Sequence, residues 1–345
     1  MYILFHQFSF LMTGLVTTFG CQWLFYKGAA TGDSYLTQLF SYIGMVLVIF
    51  LVPSIKRGKM AQYELVQHHD PDDIDMQNLQ PDDDEKSKRP FEEGPIHHPS
   101  IIKLSLLDTF ANFCVTMGFS IVGSGMYQVI YSSVVIWCAI LSYFLMGRRL
   151  TQVQWIAIFG TSAGLTLSSL DNFGPSTDAD SASTTLLMMG TMMTVGGTFF
   201  YACLYVYADY LLSKQSPPAL PARVCAYVGM YTTSISILWI SVYTLPRVDQ
   251  MIQIHDTNSS TVWMMYALVA LGSGTHAWNY YELIDRTGSV ATGILQGLRA
   301  VIVYGLSHLW YCSTDSAQCF TVYKGLGSLM VILCVLIFTV GGPSK

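Results

Sequence analysis

Arg299 stands near the middle of the apolar run 289–311, where a bilayer-spanning segment meets the most hydrocarbon. A charge at that depth costs on the order of 2.5–3.5 kcal/mol on insertion scales unless it faces a cavity or a partner. Its planar guanidinium can hold a phosphate or carboxylate through paired hydrogen bonds. Two roles compete for it, an anchor for an anionic solute and one half of a fixed ion pair, and we take the first. Asp108, about two turns into the run 101–122, needs a reason for its burial as well. It could be a proton- or substrate-linked carboxylate, or the partner of Arg299 or Lys103. Gln128 and Tyr131, at i and i+3, can face one cavity from the same helix, and Gln296 precedes Arg299 by one turn. For Gln128 a plain hydrogen bond between helices is an equal alternative.

A second cluster, His276, Trp278, Asn279, Tyr280 and Tyr281, mixes rings with hydrogen-bonding groups. Asn279 is the expected orienting contact to a solute. His276 could titrate near neutral pH and couple transport to a proton gradient, against the alternative of a neutral packing histidine. Tyr280 and Tyr281, near the end of their run, fit the aromatic belt of a membrane interface. Asp209, Glu282, Asp285 and Arg286 fall at run ends, as solvated caps or gate-side ion pairs.

No hydrolase, kinase or redox motif accompanies these residues, so no enzyme activity, catalytic residue, cofactor or metal is expected. Cysteines show no Cys-x-x-Cys spacing. The pairs His68/His69 and His97/His98 lie in a polar stretch with no helix or strand to fix them around an ion. Gly190, Gly196, Gly197 and the triplet Gly272-Ser273-Gly274 fit close helix packing, since none follows a strand to open a phosphate-facing helix.

The elements that position these groups follow from composition. Apolar residues make up 52% of the 345 and charged residues only 11%, against roughly 25% charged in soluble domains. Ten apolar runs of spanning length occur at 3–26, 35–53, 101–122, 124–146, 152–170, 185–212, 223–245, 262–281, 289–311 and 319–341. An all-α membrane protein of about ten transmembrane helices is expected, with Gly123 to Gly125 as its tightest connection. The net charge of −5 comes mainly from Asp70 to Glu93, inside the segment 54–100. That segment is too polar to bury the surface that would offset its ordering entropy, and reads as a disordered loop. It gives no sign of a nucleic-acid partner. The expected partners are the lipid bilayer and a small-molecule solute, with a second copy of the chain a candidate.

Lysines and arginines set the orientation. With the N-terminus cytosolic, Lys56, Arg57, Lys59, Lys86, Lys88, Arg89, Arg148, Arg149, Lys214, Arg223 and Arg286 fall on the cytosolic side, as does the C-terminus, against Lys27 and Arg247 in loops of the other side. The other side then carries the sequon at Asn258, a candidate glycosylation site, and the pair Cys312/Cys319, a candidate disulfide.

Ser132 to Trp137 resembles Arg299 to Tyr304 at an offset of roughly half the chain, and Gly160 falls on Gly327 at the same offset. Two five-helix halves, 1–170 with the loop 54–100 inserted and 185–341, would then be inverted repeats, since each holds an odd number of spans.

The stretch Gln128 to Leu167, with its Gly147-Arg148-Arg149-Leu150 turn and Gln154-Trp155, resembles helices four and five of the drug/metabolite transporter superfamily. It is similar to solute carrier family 35, subfamily F, grouped with nucleotide-sugar transporters and related to chloroquine-resistance-type transporters. Thr13-Gly14 with Trp23, Asp108-Thr109 and Gly297-Leu298-Arg299 agree. Two positions depart: Ala208-Asp209 replaces a paired-glutamate motif, and Tyr131 stands where those relatives carry arginine. The resemblance implies a transporter in a lysosomal, vacuolar or Golgi membrane, and no substrate follows from it. The inverted repeats fit alternating access and Arg299 an anionic group, so a carrier of a small polar, anionic organic solute is expected. A non-transporting scaffold on the same fold is the competing reading.

Overall fold

Within hydrocarbon every backbone N–H and C=O needs a partner on the chain itself, which leaves a helical sequence no alternative to unbroken helices. The computed structural model describes residues 2–58, 93–169, 181–215, 217–313 and 319–340, and no strand occurs among them. Helix α1 spans Tyr2–Tyr26 and α2 Leu36–Leu47, continued by a 3-10 turn at Val48–Phe50 and, across a 47° bend, by α3 at Val52–Gly58. Then come α4 His98–Ser132, α5 Val134–Met146, α6 Gln152–Ser169, α7 Ser181–Lys214 and α8 Pro221–Trp239. A π turn at Ile240–Thr244 precedes Pro246, whose ring obstructs the regular ladder behind it. The four-residue α9 Val248–Met251, α10 Ser259–Tyr311 and α11 Val322–Val340 complete the order. Five of these helices, or six if the bent pair counts as one, are long and apolar enough to cross a membrane.

Two of the longest helical runs double back. Tyr201 donates a hydrogen bond to Asn112 Oδ1 and its ring lies 5.3 Å from that of Tyr131. A straight helix would hold Asn112 and Tyr131 about 28 Å apart, so the chain of α4 reverses between them, in the region where Gly123 to Gly125 is expected to turn. In α10, Arg299 Nη1 lies 3.5 Å from His276 Nε2, although a straight helix would separate these residues by about 34 Å. The reversal is at Gly288, with φ 82° and ψ 170°, a conformation open essentially to glycine alone. The first leg of α10 therefore runs further than the expected end at residue 281.

The outer surface is apolar: Phe8, Phe144, Ile156, Met192, Leu238, Met264 and Leu309 are all exposed. Polar side chains face inward, and Asp108, Asp209, Asn279, Gln296 and Arg299 are buried. This inversion is that of a chain solvated by lipid. Helices α2 and α10 cross so closely that a Cβ on Gly44 or Gly274 would run into the backbone opposite. Gly190 meets Ile121 and Gly197 meets Val115 in the same manner, the packing role expected of them, whereas Gly196 faces open space.

The segment 54–100 is not a loop throughout. Its first residues belong to α3 and its last to α4, while Glu93 is held by Lys56 at 3.0 Å and Arg223 at 2.8 Å. Gly94 N–H donates to Pro218 O at 3.0 Å, and Gln215 Nε2 donates to Pro95 O at 2.6 Å. Composition groups Glu93 with the acidic loop because its neighbours are charged, yet it is an anchor between α3 and α8. Residues 59–92, with His68 and His69, lie outside the described residues. His97 and His98 instead bond Ser100 Oγ at 2.8 Å and the Tyr231 hydroxyl at 3.1 Å.

At the end of α1 opposite its N-terminus, His255 Nε2 donates to Tyr26 O at 3.1 Å, and Asn258 stands exposed just before α10. Cys312 and Cys319 are joined, their Cα atoms 4.5 Å apart. His308 lies near both sulfurs, but disulfide sulfurs have no thiolate to offer a metal ion.

Candidate functional site

A cavity of about 200 Å³ lies between α1, α2, α4, α7 and α10. Asp108, Tyr131, Gln296, Arg299 and His276, each singled out from sequence, all reach it. Gln128 lies on the same leg of α4, but its side chain is outside the described residues.

Arg299 is 6% exposed and forms no ion pair among the described residues. Its side chain packs on Gly14, where an added Cβ would come within 2.8 Å of Arg299 Cδ and 2.9 Å of His276 Cε1. The glycine is thus a size requirement, since any side chain would displace the guanidinium. Arg299 Nε has no hydrogen-bond partner among the described residues. The His276 ring stacks on Phe10, centroids 4.2 Å apart, and its Nδ1 donates to Phe10 O at 2.9 Å. Nε2 then carries the lone pair toward Arg299, so the neutral tautomer suits both contacts.

Asp108 occupies another wall. Oδ1 accepts from Asn112 Nδ2 at 3.0 Å, and Oδ2 is buried without a hydrogen bond of good geometry among the described residues, beside the Tyr42 hydroxyl. No ion pair joins Asp108 to Arg299 or Lys103 among the described residues, so the fixed-pair role open to it from sequence is not the one the structure builds. Between the two charges stand tyrosines. Tyr127 and Tyr131 stack at 5.4 Å, Tyr131 meets Tyr201 edge-on at 5.3 Å, and the Tyr205 hydroxyl accepts from Gln296 Nε2 at 2.8 Å. Tyr42, Tyr280 and Tyr281 also line the cavity.

Two expectations need correction. Tyr280 and Tyr281 are buried and line the cavity rather than a membrane interface. Their position near a presumed helix end was misleading because the first leg of α10 continues to Gly288. Asn279 does not reach the cavity. It is fully buried and spent on structure, with Oδ1 2.6 Å from His6 Nδ1 and Nδ2 donating to Ser9 Oγ and Thr275 O, each at 2.8 Å. Of the two roles open to Asp209, solvated cap or ion pair, the structure builds the ion pair: Asp209 is 1% exposed. Arg148 grips it through both guanidinium nitrogens, at 2.7 and 2.9 Å, and Ser289 N–H donates to Oδ2 at 2.8 Å. Ser142 and Ser289 meet at 3.1 Å beside it. This lock ties the turn after α5, the helix α7 and the reversal of α10. Nearby in sequence, Arg286 stacks over the Tyr2 ring at 4.3 Å, placing that stretch at the N-terminal end of α1.

Sequence reasoning missed Tyr42, Asn112, Tyr127, Tyr201 and Tyr205. A usable signal existed, since 127/131 and 201/205 are tyrosine pairs at i and i+4 inside apolar runs, where two phenols on one face need a polar surface.

Residues 84–170, spanning α4 to α6 and the described Glu93, match the EamA-like transporter family. The chain resembles drug/metabolite-type membrane transporters. A curated relative, the UDP-N-acetylglucosamine transporter of Mus musculus, is 21% identical over 267 residues, covering 76% of this chain and 77% of the relative. The likeness to solute carrier family 35 read from sequence agrees with both matches. Both are transporters rather than enzymes. A solved crystal structure shares the fold at a TM-score of 0.62 and 14% identity, over 98% of this chain and 96% of that one.

Proposed function

We propose that this transporter is a secondary carrier that moves a small polar organic solute with an anionic group by alternating access, with Arg299 as the anion anchor. The observation that carries the reading is a buried guanidinium, without an ion-pair partner among the described residues, at the wall of a central cavity. A scaffold would have no use for such a charge, which is costly in a membrane unless something comes to meet it.

The architecture behind this is ten spans in two inverted halves, 1–170 and 185–341. Counting each leg of α4 and α10 separately, and α5 as the continuation of the second leg of α4, gives ten crossings. Packing supports the repeat: α1 lies on α10 as α7 lies on α4, and α2 lies on α10 as α8 lies on α4, while α2 meets α8 and α6 meets α11. Asn112 and Asn279, separated by the same offset as Gly160 and Gly327, act alike. Each amide donates to the carbonyl four residues back and meets a ring from the first helix of a half, Tyr201 or His6.

Along α1 the lining residues run from Gly14 to Phe25, away from the N-terminus, and the Arg148–Asp209 lock lies at the other end. With both termini in the cytosol, as the lysines and arginines favour, this is a conformation closed to the cytosol. The relative named above carries a nucleotide sugar; a cavity of about 200 Å³ is smaller than the roughly 300–1,000 Å³ of drug-sized ligand pockets, and favours a smaller solute. An internal eukaryotic membrane, Golgi or lysosomal, is the proposed location.

Uptake into liposomes containing the purified protein tests the anchor. Arg299→Gln should abolish uptake while leaving thermal stability close to wild type, because no ion partner is stranded. Arg299→Lys keeps the charge without the paired geometry and should weaken half-saturation by about ten-fold. Full uptake by Arg299→Gln would refute the assignment.

A further inference from the structure

The cavity holds a guanidinium and a carboxyl group that do not meet. Arg299 lies against Gly14 and His276, and Asp108 against Asn112. Neither is in an ion pair among the described residues, and Arg299 Nε and Asp108 Oδ2 are buried there without a hydrogen bond of good geometry, although the Tyr42 hydroxyl lies beside the Asp108 carboxyl and the Tyr127 hydroxyl beside Arg299. Had the chain needed only to neutralise these charges, pairing them would have done it. Kept apart in one cavity, they ask for complementary charges from whatever enters. A pure anion would satisfy Arg299 but share the enclosure with the Asp108 carboxylate, and a pure cation would face the reverse mismatch. Unpaired charges in such surroundings are costly, and that cost provides discrimination. Between them, Tyr127, Tyr131 and Tyr201 offer ring faces and edges suited to a flat or aromatic body.

We infer that the solute is a small zwitterion, with its anionic group on Arg299, its cationic group on Asp108 and a compact planar body against the tyrosines. The inference rests on the carrier reading of the cavity and narrows its substrate class from anionic to doubly charged. It also makes the Asp108 carboxylate a selectivity determinant, which an anion anchor by itself does not require.

Three probes with the same ring separate the possibilities: phenylalanine, which is zwitterionic, 3-phenylpropionate, its anionic counterpart, and phenethylamine, its cationic one. Binding is read as thermal stabilisation of the purified full-length protein. Wild type should respond to phenylalanine at concentrations about ten-fold or more below those needed for either analogue, as loss of a hydrogen-bonded charge contact dictates. Asp108→Asn should shift the preference to 3-phenylpropionate, and Arg299→Gln to phenethylamine. Equal responses of wild type to 3-phenylpropionate and phenylalanine, or no response to any probe, would overturn the inference, as would an unchanged ranking in Asp108→Asn. If a variant does not fold, the wild-type ranking alone decides. Uptake of the same probes into liposomes isolates the underlying reading. Stabilisation by phenylalanine without accumulation sinks the carrier and keeps the zwitterion site, whereas accumulation of 3-phenylpropionate alone keeps the carrier and sinks the zwitterion.

Discussion

Glycine 14 is the residue on which the site geometry turns. The Arg299 side chain crosses α1 where a Cβ would stand 2.8 Å from Cδ and 2.9 Å from Nη1. Helix α1 itself would tolerate alanine, the best helix former, so backbone propensity predicts a gain. Contact at that distance predicts the opposite, because the guanidinium must swing or α1 must retreat from α10. Gly14→Ala should therefore keep the fold and lower liposome uptake several-fold, mainly through weaker half-saturation. Unaltered transport kinetics in this variant would show that the Arg299 position is not set by α1. Asn279 illustrates the converse. Its polarity and location suit a solute contact, but His6, Ser9 and Thr275 use its hydrogen-bonding capacity, which makes it a bolt between α1 and α10.

Among the helices, the junction of α5, α7 and α10 carries the clearest mechanical consequence. Arg148 holds Asp209 in a bidentate pair while the Ser289 N–H, freed by the reversal at Gly288, donates to the same carboxylate. A Cβ on Gly288 would sit 2.5 Å from Arg148 Nη1, so the glycine is required by both its φ and the close approach. Removing the arginine strands a buried carboxylate. Arg148→Ala should lower unfolding stability by about 3 kcal/mol, the low end for breaking a buried pair since Arg148 is half-exposed. It should also raise the reactivity of a reporter cysteine at Ser142 toward a membrane-impermeant thiol reagent applied from the N-terminal side. A reporter that stays unreactive would argue that the lock does not close that end.

At the scale of the whole molecule, the acidic segment and the bundle are separable, but not where composition alone would divide them. Glu93 bridges Lys56 and Arg223 at 4% side-chain exposure, and Gly94 and Pro95 bond the turn before α8. Deleting residues 66–92 should preserve both thermal stability and uptake, since their composition is that of a polar loop and such loops shorten at small entropic cost. Extending the deletion through Glu93 should lower the melting temperature by several degrees, because two cations lose a buried partner. Equal melting curves for the two deletions would remove Glu93 from the list of anchors.

The sequence by itself determined the solvent of this protein and the number and order of its apolar runs. Low charge density and run length are local quantities that bilayer thickness converts directly into helices. It also singled out Arg299, Asp108, Tyr131, Gln296 and His276, because a polar group within an apolar run is costly wherever it ends up, and that cost is visible without knowing its neighbours. Which neighbours it has is another matter. That Arg299 nests on Gly14, that Asp108 stays unpaired, that Tyr280 and Tyr281 face inward and that Asn279 does not reach the cavity all depend on two reversals, in α4 and at Gly288. These bring residues far apart in the chain to within a few ångströms. The burial of Asp209 and Glu93 depends on the same long-range packing, since a carboxylate at a helix end is solvated or locked according to what another helix carries to it. Only the tertiary structure decides that, because the rotation of each helix about its axis is fixed by all its packing partners at once and by none of its own residues alone.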